Sequence, residues 1–173
     1  VSESFHQIHN PVWRLANKYF SLQLAMENQF SKLLKKEFLR YCQKNDLKRA
    51  EACLTLAVDV NTVSEDGYWS GLTVAAHKNY VKLLEILLSH PQIKINNTTD
   101  AGGAIDVWSG FLSGLWTPLM FACGAGNSAI VSRLVQVPGL DIMYQDEDGW
   151  TAALLASVMG HTACVRILAE TGK

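Results

Sequence analysis

The side chains that could do chemistry in this chain are five histidines, four cysteines, one run of carboxylates and one glycine-rich step. His6, His9, His77, His90 and His161 show neither the HExxH spacing nor any other metal-ligand spacing. Cys42, Cys53, Cys123 and Cys164 form no CxxC pair, so a structural zinc is not expected, and they are too scattered for a small disulfide scaffold. Asp146-Glu147-Asp148 clusters three carboxylates, but adjacent residues cannot all face one substrate. No matched acid or base accompanies them, and the run reads as a solvated loop tip. Gly124-Ala125-Gly126-Asn127-Ser128-Ala129 fits the G-x-G-x-x-A dinucleotide pattern, which needs a strand before it and a helix opened by the glycines. No serine or threonine sits in a nucleophile elbow. The expectation is no enzyme, no cofactor and no metal.

The elements that carry these residues follow from composition and period. A chain of 173 residues has room for one ordinary domain with an appendage, and 49% hydrophobic with 18% charged residues excludes disorder. A net charge of -1 leaves no global field for nucleic acid or an anionic membrane. Locally, Lys32, Lys35, Lys36, Arg40, Lys44, Lys48 and Arg49 make one basic stretch with little aromatic interleaving, which reads as a solvated face. Val107 to Ser132 holds no Asp, Glu, Lys or Arg, longer than the roughly 20 residues of a membrane span. The glycines, serines and Pro118 inside it would leave backbone groups unserved in lipid, so no span is expected. The cysteine usage and the lack of a signal segment fit a reducing, cytoplasmic compartment, with the nucleus as the alternative.

Internal repetition is the strongest signal. Residues 41–54, 75–88, 122–135 and 156–169 superimpose, with turn residues Asn45, Asn79, Gly126 and Gly160 separated by 34, 47 and 34 positions. A second register agrees. VDVN (58–61), IKIN (93–96) and LDIM (140–143) follow the helices, and SEDG (64–67) and DEDG (146–149) open the next units. Thr117 before Pro118 reads as an N-cap and first helical residue. Leu83, Leu84, Leu87 and Leu88 form a stripe that only a neighbouring unit can bury.

With Thr117-Pro118-Leu119 and Ala122, Asp148-Gly149-Trp150-Thr151 and Gly160-His161, and Ser70-Gly71-Leu72 with Ala75-Ala76, the pattern resembles the ankyrin repeat. The resemblance covers about residues 35–173. It implies an all-α ankyrin-repeat solenoid of antiparallel helix pairs joined by hairpin fingers, with units at approximately 35–64, 65–98, 99–145 and 146–173. It makes Leu119–Cys123 a first helix and the glycines after it a turn, which removes the dinucleotide reading. It gives His161 a structural place, and puts the cysteines on helices as small buried residues. The histidine of the family's T-P-L-H motif is replaced by Thr73, Met120 and Leu154, so weaker polar ties between units are expected.

Two segments depart from the template. In the lead-in, residues 1–34, Val12, Leu15, Tyr19, Leu22 and Met26 recur at helical spacing, with Trp13, Ala16, Phe20 and Leu24 widening the face. This predicts a helix that caps the open end of the stack, with a dimerisation or partner helix as the alternative. The insertion 99–116 lengthens one finger and carries Trp108, Phe111, Leu112 and Trp116, apolar residues a solvent-facing loop has no folding reason to hold.

The function implied is a non-catalytic module that binds another protein through its fingers and concave inner-helix face. The residues carried over are Tyr68, Trp69, Trp116 and Trp150 after the finger glycines, and His77, Lys78, Val158 and Met159 after the alanine pairs. Trp108, Phe111 and Leu112 form the tip of the long finger. The alternative is a regulatory or self-association segment of a larger chain, pairing through the N-terminal helix or the uncapped C-terminal repeat. Nucleic-acid binding through the basic first repeat ranks below both.

Overall fold

The computed structural model describes residues 11–100 and 114–171. Among them run eight helices and one short hairpin: α1 (Pro11–Gln43), α2 (Leu47–Thr55), α3 (Gly71–His77), α4 (Val81–Leu88), β1 (Thr99–Asp100), β2 (Leu115–Trp116), α5 (Pro118–Gly124), α6 (Ser128–Leu134), α7 (Ala152–Val158) and α8 (Thr162–Thr171). The inner row α1, α3, α5, α7 packs in sequence, and the outer row α2, α4, α6, α8 packs behind it. This is an all-α solenoid.

Each unit is built by the same local chemistry. Ser70, Thr117 and Thr151 cap the inner helices, their hydroxyls accepting from the amides of Thr73, Met120 and Leu154. The tight turn between helices falls on the four expected residues, all with positive φ: Asn45 (55°), Asn79 (58°), Gly126 (72°) and Gly160 (75°). Behind them Leu83, Leu84 and Leu87 are fully buried, with Ile130, Val131 and Leu134 as their counterparts one unit on. Antiparallel pairing of Thr99 with Trp116 and of Asp100 with Leu115 closes the base of the long finger.

The lead-in differs from expectation in two ways. It is continuous with the first inner helix, so α1 runs 33 residues without a break at 34. Lys36 stands where later units carry their capping Ser or Thr, and lysine offers no oxygen to free amides, so nothing stops the helix there. The described side chains of the lead-in, from Leu15 on, also do not cap the stack. Leu15, Tyr19, Phe20, Leu22, Leu24, Met26, Phe30 and Leu33 are all exposed, and the core of the first unit begins only at Leu34 and Phe38. The apolar pattern identifies a helix correctly, but the first unit already buries Phe38, Cys42 and Ala50 without its help.

Polar ties between units are present despite the missing T-P-L-H histidines, and the expectation of weaker order is corrected. The residue after the turn takes over the task. Asn127 Nδ2 donates to the carbonyls of Ala76 (2.8 Å) and His77 (2.7 Å) in the preceding unit. One unit later, His161 Nε2 lies 3.1 Å from the carbonyl of Gly124. On the outer side, Asn61 donates to Gln92 O and accepts from the Lys94 amide, and Asn96 repeats this with Gly139 O and the Asp141 amide.

Candidate functional site

Three tryptophans, Trp69, Trp116 and Trp150, each stand immediately before the capping Ser or Thr of an inner helix. They occupy one repeat position, yet the stack treats them differently. Trp116 is fully buried. Its ring meets Phe121 edge-on with centroids 5.4 Å apart, and its Nε1 donates to Asp146 Oδ2 at 3.1 Å. Its expected place on a partner surface is therefore corrected: the finger that follows closes over it. Trp69 is half-buried, with ring centroids 5.4 Å from His77 and 5.7 Å from Phe121. Trp150 is half-buried in the last finger.

Asp146 is the other correction. Rather than a solvated tip, it is buried. Besides Trp116, its carboxylate accepts from the amides of Asp148 (3.1 Å) and Trp150 (2.8 Å), so one side chain fixes the turn and joins two units. Glu147 and Asp148 are exposed. The signal was in the sequence, since an Asp four residues before a finger tryptophan can accept the turn amides as Asx turns do.

At the inner-helix exits the residues sit in one row across three units. His77, Gly124 and Val158 are equivalent, as are Lys78, Ala125 and Met159. Lys78 and Val158 are exposed, His77 and Met159 half-buried. Burial, and then the neighbouring Lys78 charge, hold the His77 imidazole below its usual pKa, and its Nδ1 has no hydrogen-bond partner among the described residues. Leu154, one turn before Val158, is exposed too, whereas its counterparts Thr73 and Met120 are buried. The row thus runs from polar to aliphatic towards the C-terminal side, with Tyr68 half-buried at the edge of the first finger. Trp108, Phe111 and Leu112 lie outside the described residues.

Among the described residues no three His, Cys, Asp or Glu side chains cluster as metal ligands. The four cysteines are free and buried. Burial pushes the Cys42 thiol up to about 12 and raises Cys53, Cys123 and Cys164, so none is poised as a thiolate. No helix among the described residues is long and apolar enough to cross a membrane.

The stacked helix pairs, left-handed turns and capped inner helices coincide with a family match. Residues 108–173 match the model described as "Ankyrin repeats (3 copies)". Residues 108–173 carry ankyrin repeats. Ankyrin repeats are generic protein-interaction modules, and the family is typically non-catalytic. Among curated proteins, similar ones are cortactin-binding protein 2 of Ovis aries, Mus musculus and Muntiacus muntjak. Each is 46% identical over 57 residues, which is 33% of this chain and 4% of the relative. The chain therefore spans only a small part of the length of the curated relatives it matches. In this ankyrin frame the outer ties of Asn61 and Asn96 join successive units, and Met143, their counterpart in the last unit, is exposed.

Proposed function

We propose that this chain is a non-catalytic protein-binding module that takes a partner protein on its fingers and the row of inner-helix exits. The observation that carries this reading is the exposed aliphatic pair Leu154 and Val158 at the C-terminal end of that row, next to the half-buried Met159 and Trp150. Exposed aliphatic and aromatic side chains grouped on one face are what interface cores are made of. Tyr68, Trp69, His77 and Lys78 extend the surface towards the N-terminal units, and Trp108, Phe111 and Leu112 on the long finger belong to the same proposal. Trp116 does not. The free, buried thiols support a reducing compartment, and we place the protein in the cytoplasm or nucleus. The likeness to cortactin-binding protein 2 adds no specific partner, because it covers 4% of that protein.

The test begins with affinity capture and identification of a bound protein, followed by titration of that protein with Val158→Glu and Trp150→Ala variants. A loss of about tenfold or more in affinity for each, at an unshifted unfolding midpoint, is the expected result. Wild-type affinity in both variants overturns the assignment of the surface. A parallel Trp108→Ala, Phe111→Ala variant separates a finger that binds from one that folds onto its own repeats: the first loses affinity, the second loses stability by roughly 1–3 kcal/mol.

A further inference from the structure

The amino-terminal part of α1 presents an apolar row with no covering element among the described residues. Leu15, Tyr19, Leu22, Met26, Phe30 and Leu33 recur at steps of three or four residues and are between 54% and 76% exposed. At 3.6 residues per turn this row runs roughly 110° around the helix from the line of Leu34, Phe38, Tyr41 and Cys42 that packs into the stack. The row therefore lies on a flank of α1, beside the line that packs into the stack, and none of the described repeat residues covers it. A helix that leaves its domain with this much apolar surface in water is marginal by itself.

We propose that the row is a homodimer seam, on which the α1 helix of a second copy of this chain packs. Area is the first argument. Six large side chains at these exposures leave roughly 700 Å² of apolar surface per copy, so two copies have up to about 1,400 Å² to bury, which reaches the range of stable specific interfaces. Charge is the second. Between Leu15 and Leu33 the helix carries only Lys18, Glu27 and Lys32, and Lys32 already pairs with Glu65 at 3.0 Å. A different protein partner would find little charge to select it, and an anionic membrane would find no basic polar face of the kind interfacial helices present. A two-fold pair needs neither, because an apolar ridge is complementary to itself. Geometry is the third: the row precedes the residues of α1 that pack into the stack and lies on a flank of the helix, so the described repeats leave it open to a second α1. The seam is independent of the partner surface proposed above.

The test is analytical ultracentrifugation of the full chain at micromolar concentration. The wild type should sediment at twice its 19.1 kDa mass. Leu22→Glu with Met26→Glu should weaken dimerisation on the order of a hundredfold or more by placing charge in the seam. The variant should keep the helical circular dichroism of the folded repeats, since neither side chain belongs to their core. Leu22→Ala with Met26→Ala should shift the same equilibrium less far. Val158→Glu, at the far end of the stack, should leave the dimer intact. A wild-type monomer overturns the proposal, as does a dimer that survives Leu22→Glu with Met26→Glu, or one that Val158→Glu dissociates. Flotation of a monomeric wild type with phosphatidylcholine–phosphatidylserine vesicles would overturn it in favour of a lipid surface.

Discussion

Gly126 and Gly160 hold the same turn in consecutive units and have nearly the same positive φ, 72° and 75°, but different surroundings. A Cβ built on Gly160 meets nothing within 4 Å. A Cβ on Gly126 would stand 2.6 Å from His161 Nδ1 and 2.7 Å from its Cε1, because the ring of the next unit lies against that glycine. Gly160→Ala should therefore show the left-handed penalty alone, about 1–2 kcal/mol. Gly126→Ala should carry the same penalty and also displace the imidazole from the Gly124 carbonyl, a loss of about 0.5–1.5 kcal/mol. The expected cost is then about 1.5–3.5 kcal/mol, with the excess over Gly160→Ala belonging to the contact between units. Urea melts of the two single variants, of His161→Ala and of Gly126→Ala with His161→Ala measure this directly. Removing the ring should return about 1 kcal/mol as coupling in the double-mutant cycle. If Gly126→Ala costs no more than Gly160→Ala, or the cycle closes without coupling, the inter-unit packing described here is wrong.

Further expectations follow from the same contacts. Asp146→Ala should destabilise by about 2–4 kcal/mol in urea melts, since it strands the buried Trp116 N–H and two turn amides, whereas Asp146→Asn should keep part of that. Asn127→Ala should cost about 1–2 kcal/mol and raise hydrogen exchange in α5 and α6, because two carbonyls of the preceding unit lose their donor. His77 is held neutral by burial, its folded pKa below the unfolded value of about 6.5. Its contribution is fully present above that unfolded value and is lost as pH falls through the folded one, because the unfolded chain takes up the proton first. Melts from pH 7 downward should show stability falling, and His77→Phe should flatten that slope.

How much of this was legible in the sequence depends on how local the signal is. The turn residues, the inner-helix caps and the buried leucine stripe of α4 are set by neighbours three or four positions away, and each repeats at the unit period, so residue type and spacing determined them. The helical lead-in was legible for the same reason. Its continuity with the first inner helix was marked by the absence of a capping residue at Lys36, a weaker sign than the presence of one.

Tertiary structure alone decided what each unit's neighbours cover. Trp69, Trp116 and Trp150 share one repeat position and one local sequence logic, yet only Trp116 is lost to the core, because Asp146 of the next finger reaches its indole N–H. Leu154 is exposed where Thr73 and Met120 are buried. The ties made by Asn127 and His161 cross 37 to 51 positions, from one unit into the one before it, and the pattern within a unit does not mark them. The apolar face of α1 is the same case in reverse: periodicity determined that the face exists, while the packing of the first unit left it uncovered. Burial in a solenoid belongs to the interface between units, and a sequence repeated at one period describes the unit.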